Sequence, residues 1–166
     1  GGFGAVPGAE AHAGYTYCGA ACLSLLVRSG CVDVDAPVRA RLISAARFAR
    51  GLQCGRSGGM RGRTNKVVDA CYSFWAGAVP LIVKRLLHSA DEKFHGGPRD
   101  PPTVPHVDHS MLAAFVLRCC QNSATGGLRD KPGKTEDLYH TCYALSGLAL
   151  CRGGALPPSY DPALNV

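Results

Sequence analysis

Three side chains in this sequence could together hold a divalent metal: Asp69, Cys71 and His140. A carboxylate, a thiolate and an imidazole are each ordinary zinc ligands, and three protein ligands leave a fourth position open, as catalytic rather than structural zinc sites do. An open position could take a substrate thiol and hold it as thiolate near neutral pH. A repeat is what could bring residues so far apart together. Gly1-Gly2, Gly58-Gly59 and Gly126-Gly127 each lead into an apolar helical pattern, and Tyr15, Cys71 and His140 follow the second glycine at nearly the same distance. These three are read as equivalent positions of successive copies. Copies spaced in this way mark stacked helical hairpins, each too small to bury its apolar face alone. If the hairpins close around a ring, the starts of their inner helices converge on one mouth. Spacing alone leaves a simpler reading open, and favours it: a buried cysteine beside a capped helix start.

The elements that must position these residues are helices. Asp35 can cap a helix over about Pro37 to Phe48, with Val38, Leu42 and Ala45 or Ala46 on one face and Arg39, Arg41, Arg47 and Arg50 around the other. Ser110 to Cys120 carries another apolar stripe, and the third repeat helix is expected from about Asp137 to Cys151. Period-two alternation is nearly absent, so strands have little support. The fold class is all-α, one domain over residues 1–166. Residues 88–109 are rich in Pro, Gly and charge and read as a surface loop or insert, although they hold four of the six histidines.

Bulk properties narrow the function. No stretch approaches the roughly 18 uninterrupted apolar residues of a membrane span. The chain opens at Gly1 without methionine or a signal-type run, as expected of a piece from a longer protein. Nine cysteines, an odd number without a CxxC pair, argue against a disulfide scaffold or zinc finger. Cys22, Cys119 and Cys120 read instead as small buried hydrophobes, and the compartment as a reducing cytosol. The net charge of +6 is scattered among few aromatics, which suits an anionic small molecule better than nucleic acid.

GRTNKVVDACYSFW (62–75), LRDKPGKTEDLYHTCYALSGL (128–148) and GAVPGAEAHAGYTYCG (4–19) resemble the three signature blocks of protein farnesyltransferase β subunits, and the terminal SYDPALNV resembles that family's C-terminal stretch. The resemblance implies an α/α barrel of stacked helical hairpins, of which this chain supplies about the second half. It matches Asp69, Cys71 and His140 to the zinc ligands, one zinc per β subunit. It matches His12, Arg63, Lys66 and Tyr72 to the residues that bind the isoprenoid diphosphate, where Arg63 and Lys66 alone would read as solvated loop cations. Asp130 matches a magnesium carboxylate, against the plain reading of a turn residue. Lys131 and Lys134 lie beside it, toward either the peptide or water. Tyr15, Cys18, Trp75 and Tyr143 resemble the wall of a lipid tunnel, and Tyr139 a peptide-contacting residue.

The implied activity is zinc-dependent transfer of a farnesyl group from farnesyl diphosphate to the cysteine of a C-terminal CaaX motif. Tyr72 would share in catalysis, and a prenyltransferase α subunit would be the partner in the cytoplasm. By the same resemblance, the fragment is expected to be inactive alone. Tyr139, Tyr143 and Asp130 are of the farnesyl kind, where the related type I geranylgeranyl enzymes carry a lysine in place of Asp130. The alternatives are such a geranylgeranyl β subunit and a non-catalytic helical-repeat scaffold, which should have lost ligands or cations. A terpene cyclase would need an aspartate-rich DxDD motif, which is missing.

Overall fold

A computed structural model describes residues 1–95, 104–152 and 162, with residues 92–95 described in their backbone alone. The resemblance noted at the terminal SYDPALNV falls outside the described residues, apart from Pro162. The described residues form helices and no strands, with short turns fastened by isolated antiparallel bridges. No described helix is long and apolar enough to cross a membrane.

Helix α1 (Ala13–Arg28) starts where the His12 side chain accepts from the Gly14 N–H. Its buried face runs Ala13, Thr16, Tyr17, Ala20, Ala21 and Ser24, the spacing of one helical stripe. Helix α2 (Ala36–Gly51) is capped by Asp35, which accepts from the Val38 N–H at 2.9 Å, and it buries Leu42, Ala45, Ala46 and Ala49. Helix α4 (Ala78–His95) inserts Val79, Ile82, Val83, Leu86 and Leu87 between these two. The many alanines let the three helices approach closely, and the large side chains of α4 fill the remaining space. Arg39 of α2 pairs with the buried Asp91 of α4. Removing either partner would leave the other charge uncompensated, at a cost of about 3–5 kcal/mol.

The second repeat segment is not one continuous helix. Helix α3 (Tyr72–Trp75) lasts a single turn before the break at Ala76-Gly77 that precedes α4. A Cβ on Gly77 would lie 2.1 Å from the Ser73 carbonyl oxygen, so the break packs directly on that oxygen. Helix α6 (Leu138–Leu150) crosses α3 equally tightly, because a Cβ on Gly147 would fall 2.1 Å from Ser73 Oγ.

Two expectations are corrected here. The loop proposed over 88–109 does not begin at His88, since α4 continues to His95, and Asp108 caps helix α5 (His109–Phe115), accepting from the Met111 N–H; residues 96–103 of that expectation lie outside the described residues. The apolar register of Leu86, Leu87 and Ala90 carries α4 past the polar residues that suggested a loop. Cys22 is exposed, because it lies on the face of α1 opposite the buried stripe; Cys119 is half-buried and Cys120 buried. The helix expected over Ser110 to Cys120 is α5 followed by one π-helical turn (Val116–Cys120). All nine cysteines are free thiols.

Candidate metal and diphosphate site

The site is built by a backbone pattern that recurs three times. In successive repeats the amides of His12, Asp69 and Asp137 donate to the carbonyls of Phe3, Met60 and Leu128, at 3.0, 3.0 and 3.3 Å. The turns before them close alike, Gly58 N–H to Cys54 O and Gly126 N–H to Asn122 O. Neighbouring repeats are then joined by one bond type, Ala13 N–H to Gly62 O and Ala70 N–H to Asp130 O, both 2.8 Å. This pattern corrects the alignment by one position. The equivalent residues are Tyr15, Tyr72 and His140, which all follow the second glycine of their repeat at one constant distance. Cys71 is equivalent to Gly14 and Tyr139 instead. The earlier alignment followed the ligand types rather than the turn length, which is constant.

The correction brings the ligands together for a different reason. Asp69 and Cys71 belong to the start of the second repeat helix, whereas His140 is the first-turn residue of the third, and Asp130 O bonded to Ala70 N–H holds the two starts side by side. One ligand atom from each of Asp69, Cys71 and His140 lies within 4.8 Å of the other two. Asp69 Oδ1 accepts from the Cys71 N–H at 2.9 Å and lies 3.4 Å from His140 Nε2. His140 is aimed by Asp137, which accepts from its N–H at 2.7 Å and whose Oδ2 lies 2.6 Å from its Nδ1. With Nδ1–H donating to Asp137, the lone pair of Nε2 faces Asp69 and Cys71. A carboxylate that orients a ligating imidazole in this way is the usual outer support of a zinc site. The sequence reading missed Asp137; the signal was an acidic cap three residues before a candidate histidine.

Burial pushes the Cys71 thiol well above its ordinary range, and the hydrogen bond and charge of Asp69 push it further. Without a metal the thiol therefore stays protonated beside the carboxylate. A bound cation reverses it, since thiolate ligands are deprotonated by the metal. The donor set therefore fits zinc.

Two cavities flank these residues. One of about 190 Å³ is lined by His12, Arg63, Lys66, Asp69, Tyr72 and Lys131, among others. Here His12 Nδ1 accepts from the Gly14 N–H at 3.0 Å, so the neutral ring carries its proton on Nε2, 3.2 Å from the Tyr72 hydroxyl. Burial, then the charge of Arg63, lowers the His12 pKa and keeps that neutral form. Tyr72 thus accepts from His12 and has its own O–H free to donate to a ligand. Gly62 makes room for the Tyr72 ring, because a Cβ there would lie 2.3 Å from the ring carbon that bears the hydroxyl. Arg63 reaches Glu10 at 2.8 Å on the rim. Asp130 has one oxygen paired with Lys131, while its Oδ1 is buried without a hydrogen-bond partner. A buried orphan carboxylate oxygen calls for a ligand, and magnesium, an oxygen-seeking ion that keeps waters and phosphates, fits it.

The second cavity, of about 590 Å³, is lined by Tyr15, Cys18, Trp75 and Tyr139 together with His12, Arg63 and Tyr72. It is continuous in its lining with the cationic one and mostly apolar beyond it. Tyr139, expected to touch peptide, shares the wall with the expected lipid residues; its hydroxyl accepts from the Trp75 indole N–H at 3.2 Å. Burial raises the Tyr139 pKa to about 12, with Cys71 adding to it. Tyr143 is not among that cavity's lining residues, but it packs on Trp75 at 4.5 Å and on Tyr139 at 4.9 Å between ring centroids.

Comparison with known proteins bears on this geometry. The family model of the Prenyltransferase alpha-alpha toroid domain matches residues 1–166. The chain is 33% identical over 200 residues to the protein farnesyltransferase subunit beta of Pisum sativum, covering 92% of this chain and 45% of the relative. It is 32% identical over 160 residues to the geranylgeranyl transferase type-1 subunit beta of Arabidopsis thaliana, covering 95% of this chain and 37% of the relative. The chain thus spans less than half the length of either. The solved structure of Candida albicans protein geranylgeranyltransferase-I complexed with GGPP superposes with a TM-score of 0.65 at 23% identity, over 90% of this chain and 38% of that one. That likeness supports the shared toroid fold.

Proposed function

The chain belongs to the Prenyltransferase alpha-alpha toroid domain family, and from that premise we propose that it carries the metal and diphosphate end of a protein farnesyltransferase β subunit. The activity is transfer of a farnesyl group from farnesyl diphosphate to the thiol of a CaaX cysteine. The observation that carries this reading is the approach of Asp69, Cys71 and His140 within 4.8 Å of one another, beside a cationic cavity that shares His12, Arg63 and Tyr72 with an aromatic one.

Asp69, Cys71 and His140 are the residues that would hold zinc, which would supply a Lewis acid able to lower the pKa of a substrate thiol. Asp137 fixes the tautomer and direction of His140. Tyr15, Cys18 and Trp75, backed by Tyr143, offer the isoprenoid an apolar wall, whose attraction is the area removed from water. Arg63, Lys66 and the Tyr72 hydroxyl, the last oriented by His12 Nε2–H, would meet the diphosphate and offset the charge that grows on it as the carbon–oxygen bond breaks. Asp130 is the residue that would hold magnesium against that leaving group. Tyr139 stands between the zinc ligand Cys71 and the lipid wall, where a peptide cysteine must approach.

The remaining parts of the reading are a prenyltransferase α subunit as partner, a cytoplasmic location and no nucleic-acid partner. The presence of Asp130, Tyr139 and Tyr143 supports farnesyl over geranylgeranyl. The test is prenyl transfer to a CaaX peptide by the protein carrying this chain, assembled with a prenyltransferase α subunit, with the two diphosphates in competition. Zinc- and magnesium-dependent preference for farnesyl is the expected result. Preference for geranylgeranyl would overturn the lipid assignment, and no transfer at all would favour the scaffold reading.

A further inference from the structure

Lys131 and Lys134 look alike in sequence, close together in one basic loop, but the structure separates them. Lys134 is exposed. Lys131 is half-buried and lines the cationic cavity with His12, Arg63, Lys66 and Tyr72. It is the third-repeat counterpart of Arg63, at the same distance after the glycine pair. Its ammonium pairs with one oxygen of Asp130, while the other oxygen of that carboxylate is buried without a hydrogen-bond partner.

From this juxtaposition, and building on the proposed function, we infer that Lys131 is a further diphosphate-binding residue of this site, and that it shares the neutralisation of Asp130 with the divalent cation. An ammonium has three donors, so Lys131 can keep one on Asp130 and turn another toward a phosphate oxygen. Without Lys131, the Asp130 carboxylate would stand uncompensated at the edge of an anion cavity, and its repulsion would act on the incoming diphosphate. A divalent cation on Asp130 removes that repulsion in another way and itself offsets phosphate charge. Lys131 should therefore matter most when magnesium is absent.

The test is calorimetric titration of the protein, assembled with its α subunit, with inorganic pyrophosphate and with farnesyl diphosphate, each in magnesium and in chelator. Lys131→Gln is expected to weaken pyrophosphate binding about tenfold or more in chelator, the scale of a lost charge-assisted hydrogen bond, and clearly less in magnesium. Lys131→Arg should bind nearly as the unaltered protein does. Asp130→Asn combined with Lys131→Gln should recover part of the loss in chelator, which a purely structural role for Lys131 would not produce. Equal pyrophosphate affinity for Lys131→Gln and the unaltered protein in chelator would overturn the inference alone. Failure of the unaltered protein to bind farnesyl diphosphate would overturn the proposed function and this inference with it.

Discussion

The helix starts at 52–72 and at 120–140 follow one backbone path and carry opposite chemistry. Their turns close with the same pair of backbone bonds, and the equivalent residues Asp69 and Asp137 donate from matching amides to matching carbonyls, those of Met60 and Leu128. Yet Asp69 turns its carboxylate to Cys71 N–H and the candidate metal site, whereas Asp137 spends both oxygens on His140. Gly62 leaves space for Tyr72, and its counterpart Asp130 fills that place with a carboxylate. Tyr72 offers a phenol where His140 offers an imidazole. The repeat thus supplies position, and single substitutions between copies supply function. A further contrast lies at the next position: Ala13 and Ala70 are 0% exposed, but the third copy, Leu138, is 90% exposed.

The strongest way to break the comparison is to delete a ligand from either copy. Cys71→Ala and His140→Ala should each remove zinc and prenyl transfer together, read as metal content per protein and product formed. Full zinc occupancy in either variant would sink the shared site. Next is the support that only the third copy has. Asp137→Asn keeps a good helix cap but loses the carboxylate on His140 Nδ1, and zinc affinity should fall about 10–100-fold. Competition against a chromophoric chelator would measure it, with thermal melting near unchanged.

Gly62→Ala probes the asymmetry in packing. The added methyl meets the Tyr72 ring, so stability should fall by about 1–3 kcal/mol, with weaker diphosphate binding, in denaturant melts and titration. Asp130→Ala, at the equivalent place, should cost less stability. A further effect is in pH. The raised Cys71 thiol must release its proton to bind metal, so zinc affinity should rise with pH by about tenfold per unit across the neutral range and weaken toward acid. Chelator competition between pH 6 and 8 would reveal a flat profile if Cys71 were not a ligand.

Much of the framework was legible in residue types. Asp35 and Pro37 announced α2, and the apolar stripe after Asp137 announced α6, because caps and periodicity act locally. The glycine pairs announced the repeat, since Gly58, Gly126 and Gly127 take positive φ in the turns. The equivalence of Cys71 with Tyr139 was hidden, because side-chain chemistry drew the alignment one position away from the hydrogen-bonded register. The break at Gly77 was hidden too, because the crowding of that position against the Ser73 carbonyl oxygen shows only in the folded chain. Lys131 and Lys134 were indistinguishable, since only the third dimension shows which one lines the cavity.

On the proposed function, Asp69, Cys71 and His140 hold a metal with a position open to a substrate thiol. Cobalt exchanged for zinc in the assembled protein tests it most directly, through thiolate-to-cobalt charge-transfer absorption. The expected result is a band from Cys71 that grows when a CaaX peptide is added and does not grow with the matching serine peptide. A spectrum unchanged by the cysteine peptide would contradict it.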